Sequence, residues 1–259
     1  MTNKYKIVIS FLLLVIFAAL IFVFSFKEEK VYTSHEYNSN GQLIGINEYI
    51  IRNSDTILQG KFERYNDKGI LISKGQFLND EVYGKCLYYY HNGKVKSIYF
   101  RKNSKINLEC FYYNQNGLLE KYIMCDDIGN TAFIIYFDEK GATKYNGYFQ
   151  IETYQYKFSH PEQFKIKEQQ YLKVGDKLKY SYLIANIPNA KRSIKIENIS
   201  VDNSKVKRTL KHIEPCQWDV EEVLTKKGKN TIQSIVKYEF KDKVTPVFID
   251  TLSFDIEVH

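Results

Sequence analysis

Tyrosines at a fixed spacing are the residues of this sequence best suited to bind another molecule. Two sets recur at steps of 24 residues. The first set is Tyr65, Tyr89 and Tyr113, and the second is Tyr88, Tyr112 and Tyr136. On a β-sheet such sets would form rows, and a row of exposed rings could hold sugar rings or the apolar surface of a partner. The same rows could instead join neighbouring repeats through ring contacts. We favour the structural interpretation and keep the six tyrosines as candidate binding residues.

No group of residues has the spacing of a catalytic or metal-binding motif. The five histidines are scattered, without the HExxH or paired spacing that holds a metal ion. There is no GxSxG motif and no glycine-rich phosphate loop. Adjacent acidic residues, such as Asp80 and Glu81, would point to opposite faces of a strand and would not form an acid–base pair on one substrate. We therefore expect no enzyme activity, no cofactor and no metal ion.

The four cysteines do not have the spacing of a zinc site or of a disulfide framework. Cys86 and Cys110 are 24 residues apart, so two strands would separate them by about 10 Å. Cys110 and Cys125 flank a turn at Gly117, and we place them out of register by about four residues, roughly 13 Å along the strand. A disulfide needs Cα atoms within about 7 Å. We expect these three cysteines to be free thiols and assign no state to Cys216.

Glycines that follow an aromatic residue by four positions mark five turns in the N-terminal half. They are Gly41, Gly69, Gly93, Gly117 and Gly141, of which the last four are 24 residues apart and the first precedes Gly69 by 28. Glycine, Asn and Asp tolerate the positive φ of tight hairpin turns. Gly60 and Gly84 indicate a second, weaker turn with the same period. The pattern predicts one β-hairpin per repeat, with the hairpins paired into a single elongated antiparallel sheet.

This repeat, Tyr-x-x-x-Gly-x-Leu followed by a second glycine and an aromatic pair, resembles the MORN repeat. The second glycine and the pair are seen at Gly84, Tyr88 and Tyr89. The pattern is similar to the variant found in bacterial repeat proteins labelled as YwqK-type antitoxins, over about residues 35–150. The resemblance implies a surface for binding or spacing, and it implies neutralisation of a cognate toxin as an alternative activity.

The first residues of the chain predict a membrane segment. Residues 7–26 contain only two polar residues, Ser10 and Ser25. As a helix these 20 residues would span about 30 Å, the thickness of the hydrocarbon core of a bilayer. We favour an uncleaved transmembrane anchor, residues 1–26, over a cleaved secretion signal. We place residues 27–259 outside the cytoplasm, because a long segment after such a helix usually crosses the membrane.

The hairpin repeats, residues 27–150, are followed by a region with a different pattern. After a predicted linker at residues 151–161, apolar and polar residues alternate in several short segments of residues 162–259. Alternation with period two is typical of half-buried strands. About seven strands in about 100 residues predict a β-sandwich, and the pattern resembles an immunoglobulin-like domain.

The charge of the C-terminal region does not indicate a nucleic-acid partner. Residues 157–259 contain 19 Lys and Arg against 14 Asp and Glu, a balance of +5, whereas residues 27–156 contain 16 of each. The basic residues of the run Lys205–Lys211 are spaced as on the solvated face of an antiparallel sheet. We expect no nucleic acid as a partner.

Together these features predict an all-β protein with one N-terminal transmembrane helix, a β-hairpin repeat array and a C-terminal β-sandwich. We expect a non-catalytic binding or scaffolding protein of the cell envelope with a protein partner. The first alternative is a glycan-binding module that uses the tyrosine rows. The second is an antitoxin-like protein in the cytoplasm.

Overall fold

The computed structural model describes residues 29–155, 172–242 and 244–259. Apart from one turn of 3₁₀-helix at Asn203–Lys205, all regular elements in these residues are β-strands. None of the described residues form a helix long and apolar enough to cross a membrane. The predicted anchor, residues 1–26, lies outside the described residues.

Ten strands form one antiparallel sheet in which neighbours in sequence are neighbours in space. They are β1 Tyr32–Tyr37, β2 Leu43–Arg52, β3 Asp55–Tyr65, β4 Leu71–Leu78, β5 Glu81–Tyr89, β6 Val95–Arg101, β7 Asn107–Tyr113, β8 Leu119–Cys125, β9 Thr131–Asp138 and β10 Gly141–Gly147. The predicted single sheet of consecutive hairpins is confirmed.

The periodic glycines close these hairpins with the help of a side chain. In the turn after β3, Oδ1 of Asn66 accepts the N–H groups of Lys68 and Ile70 at 2.9 and 3.0 Å. Gly69 has a φ of +72° and donates its N–H to the carbonyl of Asn66. Asn has this role because its short side chain mimics a backbone turn. Asn114 closes the turn after β7, which contains Gly117, in the same way.

Gly60 and Gly84 are not in turns, so the prediction of a second turn at these glycines is wrong. The first two turns on this side are Asn53–Ser54 and Asn79–Asp80, whose four residues all have positive φ, and the next two follow β6 and β8. Gly60 and Gly84 lie inside β3 and β5, where the pairing register shifts. A β-bulge needs an extra residue in one strand, and glycine allows it to take a positive φ.

The same 24-residue step extends this series of bulges. It leads from Gly84 to Leu108 and Ala132, and the register shifts beside both residues. The period of the sequence therefore encodes, in each repeat, one glycine turn with a register shift beside it and one bulge away from that turn.

Seven further strands form two smaller sheets. They are β11 Gln150–Gln155, β12 Lys177–Ile184, β13 Ala190–Asn198, β14 Arg208–Ile213, β15 Gln217–Val223, β16 Gly228–Phe240 and β17 Phe248–Val258. One sheet has the order β11-β12-β15-β14 and the other β13-β16-β17. β11 occupies the first part of the predicted linker, because it pairs with β12. Residues 156–161 of that linker lie outside the described residues.

The two smaller sheets pack face to face around alternating buried residues. Tyr180 of β12 contacts Phe254 of β17 with ring centroids 5.3 Å apart. Arg208, from the basic run expected on the solvated face, instead pairs with the buried Glu222 at 2.7 Å. Its Nη1 donates to the carbonyl of Ile196 in the opposite sheet. The guanidinium can leave water because both a carboxylate and a carbonyl accept its N–H groups.

The sandwich packs on one face of the ten-stranded sheet, which we name the covered face. Phe111, Tyr122 and Phe133 lie on it and share one buried cluster with the sandwich core. Phe149 joins the two parts, with its ring 5.9 Å from that of Phe133 and 5.3 Å from that of Tyr238.

The connection between β16 and β17 also covers the end of the ten-stranded sheet. The ring of Phe248 lies 4.3 Å from that of Tyr145 in β10. Oγ1 of Thr245 accepts the N–H of Ala142 at 3.3 Å. These contacts partly cover the edge of β10.

Candidate functional site

The six predicted tyrosines lie on two opposite faces of the ten-stranded sheet. One face of the sheet is turned away from the sandwich, and we name it the open face. It carries Tyr88, Tyr112 and Tyr136, which pair across the strands with Ser97, Lys121 and Lys144, respectively. The other three are Tyr65, Tyr89 and Tyr113. Each comes directly after an open-face residue in its strand, so it lies on the covered face. Residues adjacent in a strand point to opposite sides, so the six cannot form one surface.

The open-face tyrosines are joined by a residue that the repeat did not indicate. Tyr99 of β6 lies between Tyr88 and Tyr112, with ring centroids 5.2 and 5.9 Å away. All the contacts are edge-on, which is a preferred geometry for aromatic pairs. One step of 24 from Tyr99 leads to Gly75 and Ile123, so no periodicity in the sequence marked this position.

Two cations cover the rings of this row. Nζ of Lys121 lies 4.2 Å from the centroid of Tyr112. The guanidinium of Arg101 lies 5.5 Å from the centroid of Tyr99, and its Nη2 donates to the hydroxyl of Tyr88 at 3.2 Å. Each contact of this kind stabilises by about 0.5–1 kcal/mol at an exposed site. The row is therefore internally packed, as the structural interpretation expected.

The open face is positively charged near this row. Arg101, Lys121 and Lys144 are the basic residues of this face near the row, and none of the open-face residues paired within strands β5–β8 is Asp or Glu. Asp138, two residues after Tyr136, is the acidic residue of this face in β9. Tyr136, between Lys121 and Lys144, is 39% exposed. The arrangement offers hydroxyl and cationic groups to an acidic partner.

The covered-face tyrosines make separate contacts rather than a row. The hydroxyl of Tyr65 donates to Glu63, and this hydrogen bond raises the pKa of the phenol. Nζ of Lys74 lies 5.9 Å from the ring of Tyr89. Tyr113 packs against the common core, and its burial raises its pKa. These three side chains stabilise the repeats individually.

Small residues fill the centre of the open face. Cys86 and Cys110 are buried and pair with Tyr99 from its two sides. Cys110 lies opposite Ile123, so Cys125 is two positions out of register rather than the four expected. All four cysteines are buried free thiols, as predicted for three of them. The neighbouring thiol of Cys110 lowers the pKa of Cys125 through a hydrogen bond.

A buried carboxyl group lies where the covered face meets the sandwich. Oε1 of Glu109 accepts the N–H of Asn186 at 2.9 Å and the hydroxyl of Tyr122 at 2.5 Å. Its other oxygen has no hydrogen-bond partner among the described residues. Burial raises the pKa of Glu109 to about 7, although these two donors and Arg192 lower it. Sequence reasoning missed this residue because nothing in its neighbourhood marks it as buried.

Neither a metal site nor a known protein family can be assigned from these features. Within the described residues, no group of three or more His, Cys, Asp or Glu side chains could hold a metal ion. No family model matches the sequence. No curated protein is significantly similar to it either.

Proposed function

We propose that this protein is a non-catalytic binding or scaffolding protein of the cell envelope that holds a protein partner on the open face of its repeat sheet. Residues 7–26 would anchor it in the membrane, with residues 27–259 outside the cytoplasm. The observation that carries the proposal is the division of the sheet: the sandwich packs on one face, and no described residues form a layer on the other.

The chemistry of the open face supports a partner with an acidic segment. Lys121, Lys144 and Arg101 supply positive charge, and the half-buried tyrosines supply flat amphipathic area that is enriched in protein interfaces. Sugar rings would stack on exposed ring faces, but cations already lie over Tyr99 and Tyr112. This favours a protein over a glycan on this face.

The assignment of both parts to known architectures belongs to the same proposal. A period of 24 residues with one turn and one bulge supports a MORN-like array. The sandwich orders β11-β12-β15-β14 and β13-β16-β17 correspond to the ABED and CFG sheets of a constant-type immunoglobulin fold, which supports an immunoglobulin-like domain.

Photo-crosslinking in cells that make the protein tests the partner surface. Benzoylphenylalanine replaces Tyr136 on the open face or, as the matched control, Tyr37, which is 60% exposed at the other end of the sheet. We expect a discrete adduct from position 136 only. The double variant Lys121→Glu, Lys144→Glu should remove it. Identical adducts from both positions, or an adduct that survives the charge reversal, would contradict the proposal.

Protease treatment of intact spheroplasts tests the location. We expect digestion of residues 27–259 from outside, with residues 1–26 kept in the membrane. Protection until the membrane is broken would place the repeats in the cytoplasm and make the antitoxin alternative the leading one.

A further inference from the structure

A cleft of about 720 Å³ lies between the repeat sheet and the sandwich. One wall is the covered face of β4–β7, next to the area where the sandwich makes contact. The other wall is the outer face of β12 and β15, the side of that sheet turned away from the sandwich core. Ligand sites of proteins have volumes of about 300–1,000 Å³ and are frequent between domains. The cleft has the size and the place of a binding site for a small molecule.

The repeat wall offers aromatic and apolar surface. Tyr83, on β5, is 42% exposed and lines the cleft with Phe100 and Leu108. The register pairs Tyr83 with Gln76 and Lys85 with Phe100, so these four side chains share one face. No cation–π contact covers Tyr83 among the described residues, unlike the rings of the open-face row. Its ring face is free for an apolar surface such as the C–H face of a sugar ring.

The sandwich wall offers polar side chains that are held in place by hydrogen bonds to one another. Oδ1 of Asp219 accepts the hydroxyl of Ser181 at 2.7 Å and Nε2 of Gln217 at 2.8 Å. Oδ2 of Asp219 accepts no hydrogen bond from the described residues, so it is available to a ligand hydroxyl. A preorganised carboxylate beside an amide and a hydroxyl suits neighbouring hydroxyl groups, which both donate and accept.

The charges around the cleft cancel. Its lining contains two lysines, Lys85 and Lys102, and three acidic residues, Asp127, Glu214 and Asp219, so the net charge is close to zero. Arg101 also lines the cleft, but its guanidinium lies on the open face over the ring of Tyr99. A strongly charged ligand would gain little here, and a purely apolar ligand would leave the polar wall without partners. We propose that the cleft binds an uncharged glycan, with a sugar ring on Tyr83 and its hydroxyl groups at Asp219. The proposal does not depend on a partner at the open face.

Titration calorimetry of the full-length chain with neutral trisaccharides tests the site. The probes are the β-linked trisaccharides of glucose and of N-acetylglucosamine, with a trisaccharide of galacturonic acid as the anionic comparison. We expect saturable binding of at least one neutral trisaccharide. Tyr83→Ala and Asp219→Asn should each weaken it tenfold or more with an unchanged melting temperature, because Tyr83 is exposed and Asn at position 219 keeps an oxygen that can accept the hydrogen bonds of Ser181 and Gln217. Tyr37→Ala, outside the cleft, should leave the affinity unchanged.

Three outcomes would overturn the proposal. The first is the absence of saturable binding of both neutral trisaccharides. The second is binding that Tyr83→Ala and Asp219→Asn do not weaken, or that Tyr37→Ala weakens equally. The third is tighter binding of the galacturonic acid trisaccharide, which would assign the cleft to an anion. Crosslinking from position 136 can succeed or fail independently of all three.

Discussion

The repeat sheet and the sandwich bury their side chains in different ways. In the sandwich, β16 buries every second residue against the opposite sheet for most of its length. On the open face of the repeat sheet the described residues form no second layer, and apart from Phe62 the residues that become buried are mostly small ones such as Cys86, Ser97 and Cys110, enclosed by half-exposed tyrosines. The repeat sheet therefore depends on neighbouring strands, and the sandwich depends on residues distant in sequence.

The ion pairs of the two regions also differ in how far their side chains are buried. Arg52 and Glu29, in the repeat region, pair at 2.8 Å with side chains 44% and 45% exposed. Arg208 and Glu222, in the sandwich, pair at 2.7 Å with side chains 12% and 0% exposed. Water screens the first pair, whereas the second must compensate the cost of burying two charges. Removing one partner should therefore have very different effects in the two regions.

The largest expected effect is that of Arg208→Met. It leaves the carboxylate of Glu222 buried without its cation, and we expect the free energy of unfolding to fall by about 3–5 kcal/mol. Urea denaturation followed by the fluorescence of Trp218, the single tryptophan of the chain, reports on the sandwich directly.

Arg52→Met is the matched control, and we expect no measurable change in the urea midpoint because its charge partner stays in water. The double variant Arg208→Met, Glu222→Leu should recover most of the lost stability, since it removes both buried charges. Equal effects of Arg52→Met and Arg208→Met would refute the contrast between the regions.

The next effect concerns Glu109, where the two regions meet. Its pKa is raised from 4.5 to about 7 in the folded protein, so between these pH values the folded state binds more protons than the unfolded state. The contribution of Glu109 to the free energy of unfolding is complete below pH 4.5 and is lost as the pH rises to 7. The free energy of unfolding should fall by about 3 kcal/mol over this range. Urea midpoints at pH 5, 6, 7 and 8 would measure this fall.

Glu109→Gln should remove this part of the pH dependence while preserving most stability at pH 8. Burial also raises the pKa of Glu152, in β11, to about 7, so a slope of the same sign should remain in the variant. Glu152→Gln serves as the comparison inside the sandwich. An unchanged pH profile in Glu109→Gln would show that the junction does not titrate.

The smallest effect separates the bulges that contain glycine from those that do not. Gly84 has a φ of +67°, which L-residues rarely adopt, so Gly84→Ala should cost about 1–2 kcal/mol. Ala132 occupies the equivalent bulge without a positive φ, and Ala132→Gly should cost at most about 1 kcal/mol. Both can be measured by circular dichroism during urea unfolding. A larger loss for Ala132→Gly would mean that the bulges are not equivalent.

Much of the repeat region was predictable, because its contacts are local. The turn glycines, the hairpins and the order of the strands follow from residues close in sequence, whose φ preferences and pairing are set by the chain itself. The bulges at Gly60 and Gly84 were mistaken for turns because both features select residues that accept positive φ. The residues of the actual turns recur only in part: one step of 24 from Asn79 leads to Asn103, in the turn after β6, whereas Asn53 precedes Asn79 by 26 residues.

The candidate sites were less predictable, because they combine residues from distant elements. The six tyrosines were found by their period, yet the period could not show that the chain divides them between two faces. Tyr99 has no periodic equivalent and was missed. Tyr83 and Asp219 line the same cleft from two different walls, and no local pattern relates residues so far apart in sequence.

The sequence by itself determined that the described part of this protein is built of β-strands, that its N-terminal half is a hairpin array, and that its cysteines among the repeats remain free thiols. These properties depend on turn chemistry and on alternation along single strands, which act over a few residues. Only the tertiary structure decided which face the sandwich covers, and therefore that Glu109 and Arg208 lose water while Lys121 and Tyr83 keep it. Burial is a property of the whole packed molecule, because each side chain is covered by atoms that the chain brings back from far away.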